Sequence, residues 1–191
     1  MKDSTHDYPK PSVTADVLLF TVLDNELNIL LIKRNVDPFK GSWALPGGFV
    51  QIDESLEDAA IITVTYLALA DSSSWDLKSS GDAKEAKLFP LKSLPKLAFD
   101  HKKIVDYGLE RLRSKIGYSN IVLGLLPDVF TLTDLQTKHE VILGNKLDKR
   151  NFRKKILATG LLLPTGQKSD GKAHRPAAYY KFKNRKLIIT D

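Results

Sequence analysis

The residues with the clearest chemical potential lie in a short basic segment, DKRNFRKKILATG, at positions 148–160. Its guanidinium, ammonium and carboxamide groups are the predicted DNA contacts, namely Lys149, Arg150, Asn151, Arg153, Lys154 and Lys155. In the major groove Arg pairs with guanine and Asn with adenine, while flanking cations contact phosphates. Phe152 and Ile156 fall on the opposite, apolar side of a helical projection. The segment therefore predicts a groove-reading helix, with a solvated basic surface helix as the alternative.

A second basic group follows this helix in a predicted wing. Residues 161–163 are typical of an apolar strand, residues 164–175 of a Gly- and Ser-containing loop, and AAYYKFKN at 177–184 of an aromatic strand. The loop and its exit carry four further predicted DNA contacts, Lys168, Lys172, His174 and Arg175. These side chains are placed to reach phosphates or a minor groove. Tyr180 and Phe182 alternate with lysines, so we expect them to pack inward rather than to stack on bases.

A helix upstream of the basic segment completes a helix-turn-helix pattern. Apolar or buried-type residues recur there at helical spacing, at Leu132, Leu135, His139 and Ile142. Thr133 and Gln136 are spaced as a capping box, and Thr131 is an alternative cap. Gly144 and Asn145 both tolerate the left-handed conformation that follows a helix end. Two helices and a wing predict a winged helix-turn-helix domain over residues 121–191.

The distribution of charge supports this division of the chain. Residues 131–191 contain 14 Lys and Arg against 5 Asp and Glu, whereas the whole chain carries a net charge of only +6. The positive field thus belongs to the last third, where a polyanion would bind. The absence of Cys excludes disulfides and thiolate metal sites, and no apolar run has the length of a membrane span. With a polar N-terminus in place of a signal peptide, we expect a cytoplasmic protein with no membrane role.

The first 120 residues predict a separate domain with sheet and helix. Residues 13–20 and 27–32 indicate a hairpin, residues 37–50 a structured loop rich in Pro and Gly, and residues 61–70 and 85–88 two further strands. Residues 102–115 indicate a helix, and residues 118–126 a hinge into the second domain.

One junction in this domain conflicts with chain geometry. A helix is predicted to begin at Ser55, yet the strand IITVTYLALA begins at Ile61 with no turn residue between them. A helix of about six residues is shorter than usual and cannot reverse into a strand without a connection. We therefore expect that a segment is missing between Ala60 and Ile61.

The stretch from LLIKR through WALPGGFVQIDESLEDAA resembles the Nudix superfamily. The conserved box of that family begins with Gly, five residues of any type and Glu. After seven more residues it continues with Arg-Glu, an aliphatic residue, any residue, Glu-Glu, any residue and Gly. Gly48 and Glu54 match the first two fixed positions. The resemblance implies that the later carboxylates bind Mg²⁺ for pyrophosphate hydrolysis. Those positions here are Ile62, Thr63, Tyr66 and Leu67. None is a ligand for a hard cation, so we predict no metal site, a vestigial Glu54 and no hydrolase activity for the chain as written.

Combined with FTLTDLQ, LDKRNFRKK and RPAAYYKF, the Nudix-like half makes the chain similar to the NrtR family of Nudix-related transcriptional regulators. The resemblance implies an α+β protein: a Nudix-like α/β/α sandwich with a mixed sheet, followed by the winged helix-turn-helix. It also implies a homodimer that binds double-stranded operator DNA, represses genes of NAD synthesis or salvage, and responds to ADP-ribose or a related nucleotide without a required cofactor. The candidate effector residues are Arg34, Trp43, Gly48, Phe99, Asp100 and His101.

Three alternatives stay open at this point. Relatives of the same family respond to sugars, so a sugar is an alternative effector. If the missing segment supplies a full carboxylate box, the chain is instead an ADP-ribose pyrophosphatase with a basic nucleic-acid-binding tail. The basic tail is also compatible with a nonspecific tether for RNA or DNA.

Overall fold

The computed structural model describes residues 12–49, 61–73, 75–77, 83–169 and 176–189. Six strands form the N-terminal sheet: β1 (Ser12–Leu23), β2 (Glu26–Arg34), β3 (Trp43–Ala44), β4 (Gly47–Phe49), β5 (Ile61–Leu69) and β6 (Ala83–Pro90). They are followed by helix α1 (His101–Ile116). The C-terminal part contains β7 (Phe130–Thr131), α2 (Leu132–Leu143), α3 (Lys149–Ala158), β8 (Leu162–Lys168) and β9 (Ala178–Phe182). The predicted α+β class is confirmed.

Strand β1 organises the N-terminal sheet, which is mixed as predicted. It pairs antiparallel with β2 and β4 and parallel with β5, whereas β2 also pairs antiparallel with β3 and β6. The predicted β1–β2 hairpin turns at Asp24 and Asn25, whose φ angles of 50° and 58° are those of a two-residue hairpin turn. Asn28 secures the turn by donating a hydrogen bond to the carbonyl oxygen of Glu26 at 2.9 Å.

The region predicted as a Pro- and Gly-rich loop contains two short strands, β3 and β4. Gly47 and Gly48 belong to β4, and neither has a positive φ. Gly47 is instead required by a close approach, because a Cβ atom there would lie 2.2 Å from Oδ1 of Asp16 and 2.5 Å from the carbonyl oxygen of Ala15. A Cβ on Gly48 would meet nothing within 4 Å. Gly47 thus allows β4 to lie against β1, and neither glycine forms a tight turn.

One face of the sheet packs on α1, and the resulting core continues into the C-terminal part. Phe20, Ile29 and Leu31 are fully buried with Val105 and Leu112 of α1. The same apolar cluster includes a second set of residues, Phe130, Leu135, Ile142, Leu162 and Phe182. Nε of Arg113 on α1 donates a hydrogen bond to the carbonyl oxygen of Ile142 on α2 at 3.0 Å. Helix α1 therefore joins the N-terminal sheet to the C-terminal helices.

The segment predicted as a hinge is a buried 3₁₀ helix, Ile121–Leu125. Ile121, Val122 and Leu125 are in the core. The chain's last described residues also return to this segment, since Nδ2 of Asn120 donates to the carbonyl oxygen of Lys186 at 3.0 Å. The connection is thus packed on both sides, which is not the geometry of a free hinge.

The predicted helix beginning at Ser55 lies outside the described residues. No helix in the described part of the chain is long and apolar enough to cross a membrane.

Candidate effector site and nucleic-acid interface

Four predicted effector residues come together at the N-terminal end of α1. The guanidinium carbon of Arg34 lies 5.1 Å from the ring centroid of Phe99, and Nε of Arg34 donates to the carbonyl oxygen of Pro38 at 2.8 Å. The ring of Phe99 contacts those of His101 at 5.3 Å and Phe39 at 4.6 Å between centroids. Asp100 is the residue immediately before α1 and is exposed. The cluster thus combines a cation, exposed aromatic rings and a helix N-terminus.

Asp16 lies beneath this cluster and was not identified from the sequence. Asp16 and His101 are only 7% and 8% exposed, and Oδ2 of Asp16 is 3.8 Å from Nε2 of His101. The backbone N–H of Leu45 donates to Nδ1 of His101 at 2.9 Å. Since Nδ1 accepts this bond, the neutral imidazole carries its proton on Nε2, toward the carboxylate. The alternation of β1 places Asp16 on the buried face beside Leu18 and Phe20, and this signal could have identified it.

Burial changes the proton affinity of both members of this pair. Desolvation raises the pKa of Asp16, and the neighbouring His101 opposes that shift. Desolvation also lowers the pKa of His101, while Asp16 and Asp100 act in the other direction. Burial thus disfavours the charged form of both side chains, while each favours the charged form of the other.

Among the described residues, the ring contacts of Trp43 do not include Arg34, Phe99, Asp100 or His101, the four residues that we call the Arg34 cluster. The Trp43 ring contacts Phe89 at 4.7 Å between centroids and has Nζ of Lys33 5.7 Å from its centroid. The main-chain oxygen of Trp43 accepts a hydrogen bond from the N–H of Ala98 at 2.8 Å. Trp43 thus holds the loop that carries Phe99. Gly48 is exposed in β4, whereas its neighbour Gly47 makes the contact with Asp16.

Counted along the chain as written, the positions of the second half of a Nudix box fall in β5. Ile62, Thr63, Tyr66 and Leu67 form part of a strand paired in parallel with β1, and none carries a carboxylate. These residues do not fit a Mg²⁺ site, because hard cations need oxygen ligands converging from one face. Within the described residues, no three Asp, Glu, His or Cys side chains come together as a metal cluster would require. Glu54 lies outside the described residues.

Helices α2 and α3 form the predicted helix-turn-helix. The cap of α2 is Thr131, whose hydroxyl accepts from the N–H of Asp134 at 3.1 Å while Asp134 accepts from the N–H of Thr131 at 2.9 Å. The capping box predicted at Thr133 and Gln136 is therefore wrong, and the alternative cap is correct. Gly144 ends α2 with a φ of 77°, as predicted.

The turn between α2 and α3 is organised by Glu140. Its Oε1 accepts hydrogen bonds from Nε2 of Gln136 at 2.8 Å and the N–H of Leu147 at 3.1 Å, and its Oε2 accepts from Nζ of Lys146 at 2.7 Å. These bonds, the one from Lys146 first, lower the pKa of Glu140 to about 2. The sequence analysis missed this residue, although a Glu in the last turn before a left-handed Gly is an unusual placement for an acid.

Helix α3 presents its basic residues outward. The side chain of Asp148 caps it by accepting from the N–H of Asn151 at 2.8 Å. Phe152 and Ile156 are half-buried against the core, and the Phe152 ring meets His139 at 5.1 Å between centroids. Five of the predicted DNA contacts in this helix are exposed, namely Lys149, Arg150, Asn151, Lys154 and Lys155. Arg153 is half-buried, and its Nε is the one buried side-chain nitrogen or oxygen of the described residues without a hydrogen-bond partner.

The wing is a three-stranded sheet in the order β7-β9-β8. Strand β8 extends through Lys168, so this predicted DNA contact lies in the wing strand itself rather than in a loop. Phe182 is buried against Phe130 at 5.1 Å between centroids, which confirms that it packs inward. The remaining predicted wing contacts, Lys172, His174 and Arg175, lie outside the described residues.

Comparisons with known proteins match both parts of the chain. A model described as the NrtR DNA-binding winged helix domain matches residues 122–182, and a NUDIX domain model matches residues 13–61. The ADPR responsive transcriptional repressor of Acinetobacter baylyi is 34% identical over 92% of this chain and 84% of its own length. An ADP-ribose pyrophosphatase of Methanocaldococcus jannaschii is 35% identical over 52% of this chain and 75% of its own length.

A solved structure extends the likeness to the whole architecture. Shewanella oneidensis NrtR complexed with a 27mer DNA matches with a TM-score of 0.73 and 33% identity, over 90% of this chain and 93% of that one.

The alignment with the Acinetobacter repressor also bears on the predicted missing segment. It runs over 212 positions, which exceeds the 191 residues of this chain, so the relative has residues with no counterpart here. The NUDIX match ends at residue 61, at the start of β5. Both findings agree with a segment missing at that junction, whose location stays a prediction.

Proposed function

Because this chain belongs to the NrtR family of Nudix-related transcriptional regulators, we propose that it is an operator-binding repressor whose Nudix-like domain senses ADP-ribose or a related nucleotide. The observation that carries the proposal is α3: a capped helix with half-buried Phe152 and an outward face of exposed cations and Asn151. A helix with this division of faces fits a major groove. By family resemblance, the regulated genes are those of NAD synthesis or salvage.

The Arg34 cluster is suited to a nucleotide diphosphate. Arg34 provides a cation for the pyrophosphate and lies near the N-terminus of α1, where the helix dipole favours anions. The exposed rings of Phe99 and Phe39 offer an apolar surface for a base. We assign effector binding to Arg34, Phe99, Asp100 and His101, with Asp16 orienting His101.

Helix α1 offers a physical connection between this site and the DNA-binding helices. It begins at His101 in the effector cluster, and Arg113 near its other end bonds the last turn of α2. An effector that shifts the His101 end would thus bias the position of α2 and of the helix packed on it. The mechanism is a population shift: the effector favours an arrangement in which paired recognition helices no longer match the operator half-sites.

Two copies are part of the proposed function. One recognition helix contacts too few base pairs for specificity against a genome, whereas a dimer reads two half-sites. The proposed partners are therefore a second copy, double-stranded operator DNA and the nucleotide. Because such a regulator must reach the chromosome, we propose that the protein is located in the cytoplasm.

The experiment that tests this function is a titration of the intact protein with its own upstream promoter DNA at physiological salt. It is run with and without ADP-ribose and Mg²⁺, and the nucleotide is recovered and analysed for cleavage. We expect competitor-resistant binding that ADP-ribose abolishes while remaining intact. Specific binding that ADP-ribose does not change would redirect the effector search to sugars. If the protein binds random duplex DNA as tightly as the promoter, the basic C-terminal part is a nonspecific nucleic-acid tether and not an operator reader.

Matched variants make the titration specific. Arg150→Ala should weaken operator binding by about 1–3 kcal/mol and relax discrimination at one base pair, whereas Lys96→Ala, an equal charge change on an exposed loop, should not. Arg34→Gln should retain operator binding and lose the response to ADP-ribose. An Arg34→Gln protein that responds at the wild-type ADP-ribose concentration would exclude this site.

A second candidate function is ADP-ribose hydrolysis. It is favoured by the 35% identity with the Methanocaldococcus pyrophosphatase and opposed by the carboxylate-free β5. AMP and ribose phosphate appearing in the same titration would establish it.

A further inference from the structure

Helix α3, the proposed recognition helix, lies over a cavity rather than on a close-packed core. None of its ten residues is fully buried, whereas four residues of the neighbouring helix α2 are. Phe152 and Ile156 of α3 are half-buried and line a cavity of about 430 Å³, together with Val122, Leu135, His139 and Phe182. We call this space the α3 cavity. Protein interiors rarely leave so large a space, and small-molecule pockets begin at about 300 Å³.

The walls of the α3 cavity are mainly apolar. Its most deeply buried lining residues, Val122, Leu135 and Phe182, are 1%, 1% and 8% exposed. Ile116 at the end of α1 and Leu161 before β8 also line it. An apolar molecule that enters such a cavity removes nonpolar area from water, which is the driving force for its binding.

One buried polar side chain in these walls has an unused hydrogen-bonding atom. His139 is 8% exposed and lies with its ring 5.1 Å from that of Phe152 between centroids. Nδ1 of His139 is 2.8 Å from the carbonyl oxygen of Leu135. Because a carbonyl oxygen only accepts, Nδ1 carries the proton, and Nε2 of the neutral ring has the lone pair. Nε2 has no hydrogen-bond partner among the described residues.

The protonation of His139 restricts the ligand to a hydrogen-bond donor. Desolvation lowers the pKa of His139, with the bond to Leu135 opposing that shift, so the ring is neutral at pH 7. Nε2 of a neutral ring with Nδ1 protonated accepts a hydrogen bond and cannot donate one. Asp148 and Lys155 also line the cavity and are both exposed, and their opposite charges give it no net charge that would select an ion.

We propose that the α3 cavity binds a small, largely apolar molecule with one N–H or O–H group, which donates to Nε2 of His139 and packs against Phe152 and Ile156. No member of the Arg34 cluster lines this cavity, so the site is separate from the proposed nucleotide site. Asn151 and Lys155, two of the predicted DNA contacts, do line it, and an occupant would therefore contact the proposed recognition helix directly. The inference goes beyond the proposed function and does not depend on it, because its tests use neither operator DNA nor ADP-ribose.

Indole and benzofuran test the inferred hydrogen bond in the intact, DNA-free protein. The two molecules have the same bicyclic shape, but benzofuran has an oxygen atom in place of the indole N–H group. Each is titrated into the protein, and its Kd is measured from NMR chemical shifts. We expect one indole per chain with a Kd of about 1 mM or lower, and a benzofuran Kd about tenfold higher, because benzofuran leaves Nε2 without a donor. Absence of saturable indole binding, or equal Kd values for the two molecules, overturns the inference.

Nuclear Overhauser effects locate the bound indole. We expect contacts from the indole ring protons to the methyl groups of Ile156 and to the ring of Phe152. Phe99 is the control, because it is an exposed aromatic ring of the Arg34 cluster and is absent from the α3 cavity. Contacts to Phe99 without contacts to Phe152 or Ile156 would place the indole in the Arg34 cluster and overturn the inference.

The variant His139→Phe tests which atom accepts the hydrogen bond. It keeps an aromatic ring beside Phe152 and removes Nε2, so we expect the indole Kd to rise about tenfold and the benzofuran Kd to change by less than about threefold. Thr133→Phe is the matched control, since it adds the same ring at an exposed position of α2 that does not line the cavity. A folded His139→Phe variant that binds indole as tightly as the wild type overturns the inference. If this variant does not fold, the comparison of indole with benzofuran on the wild type decides alone.

Discussion

Replacement of Glu140 by Gln tests whether the turn between α2 and α3 sets the position of the recognition helix. The carboxylate is 11% exposed and accepts three hydrogen bonds, from Lys146, Leu147 and Gln136. The Lys146 bond reaches an ammonium that is 90% exposed, so it contributes roughly 0–1 kcal/mol. The other two bonds lose their charge assistance in the variant, at about 1 kcal/mol each. The expected loss of unfolding free energy is therefore about 2 kcal/mol, or roughly 4–8 °C in Tm.

The same substitution should weaken operator binding. A weaker affinity distinguishes a role of Glu140 in positioning α3 from a direct effect of its charge on the DNA. Removing a negative charge near DNA by itself strengthens binding to a polyanion. A looser turn reduces the fraction of molecules with α3 correctly placed, and we expect a net three- to tenfold loss of affinity. Glu110→Gln is the control, because it makes the same charge change on an exposed position of α1.

The pH dependence supplies a second check with a definite sign. The folded-state pKa of Glu140 is lowered from 4.5 to about 2, so its contribution to stability is complete above pH 4.5 and is lost as pH falls toward 2. The difference in urea-unfolding free energy between wild type and Glu140→Gln should thus be full at pH 7 and shrink steadily between pH 4.5 and pH 2. If Glu140→Gln unfolds and binds operator as Glu110→Gln does at pH 7, the assigned role is refuted.

Three further predictions concern stability, each measured by urea unfolding. Gly124→Ala should lower the free energy of unfolding by more than about 1 kcal/mol, because the added Cβ would lie 2.1 Å from the carbonyl oxygen of Leu69. Gly48→Ala is the control, since its Cβ would lie in open space and should change the free energy of unfolding by less than about 0.5 kcal/mol. Thr131→Ala should cost about 1 kcal/mol through loss of the α2 cap, and a cost near zero would exclude that role. Burial lowers the pKa of His139, so the wild type should lose stability as pH falls below 6.5, and a His139→Leu variant that retains the full slope would contradict this assignment.

Much of the C-terminal domain was predictable from the sequence because its signals are local. The apolar spacing around Phe152 and the Gly144 terminus each act within one or two helical turns, and both appear in the structure as predicted. The strands around the Asp24 turn were predictable for the same reason. The family was identified from two sequence motifs in separate parts of the chain. Each motif can be recognised without knowing how those parts pack together.

Features that depend on approach between distant segments were decided by the tertiary structure. Asp16 is 85 residues from His101 in the sequence, and only the packing of α1 against β1 makes them neighbours. The requirement for glycine at position 47, rather than 48, arises from the nearness of β4 to Asp16 and could not be read from two equivalent glycines. Likewise, the alternation of β5 predicts two faces, but not which one α1 covers. Side-chain burial depends on three-dimensional neighbours, and sequence spacing alone fixes only the neighbours within an element.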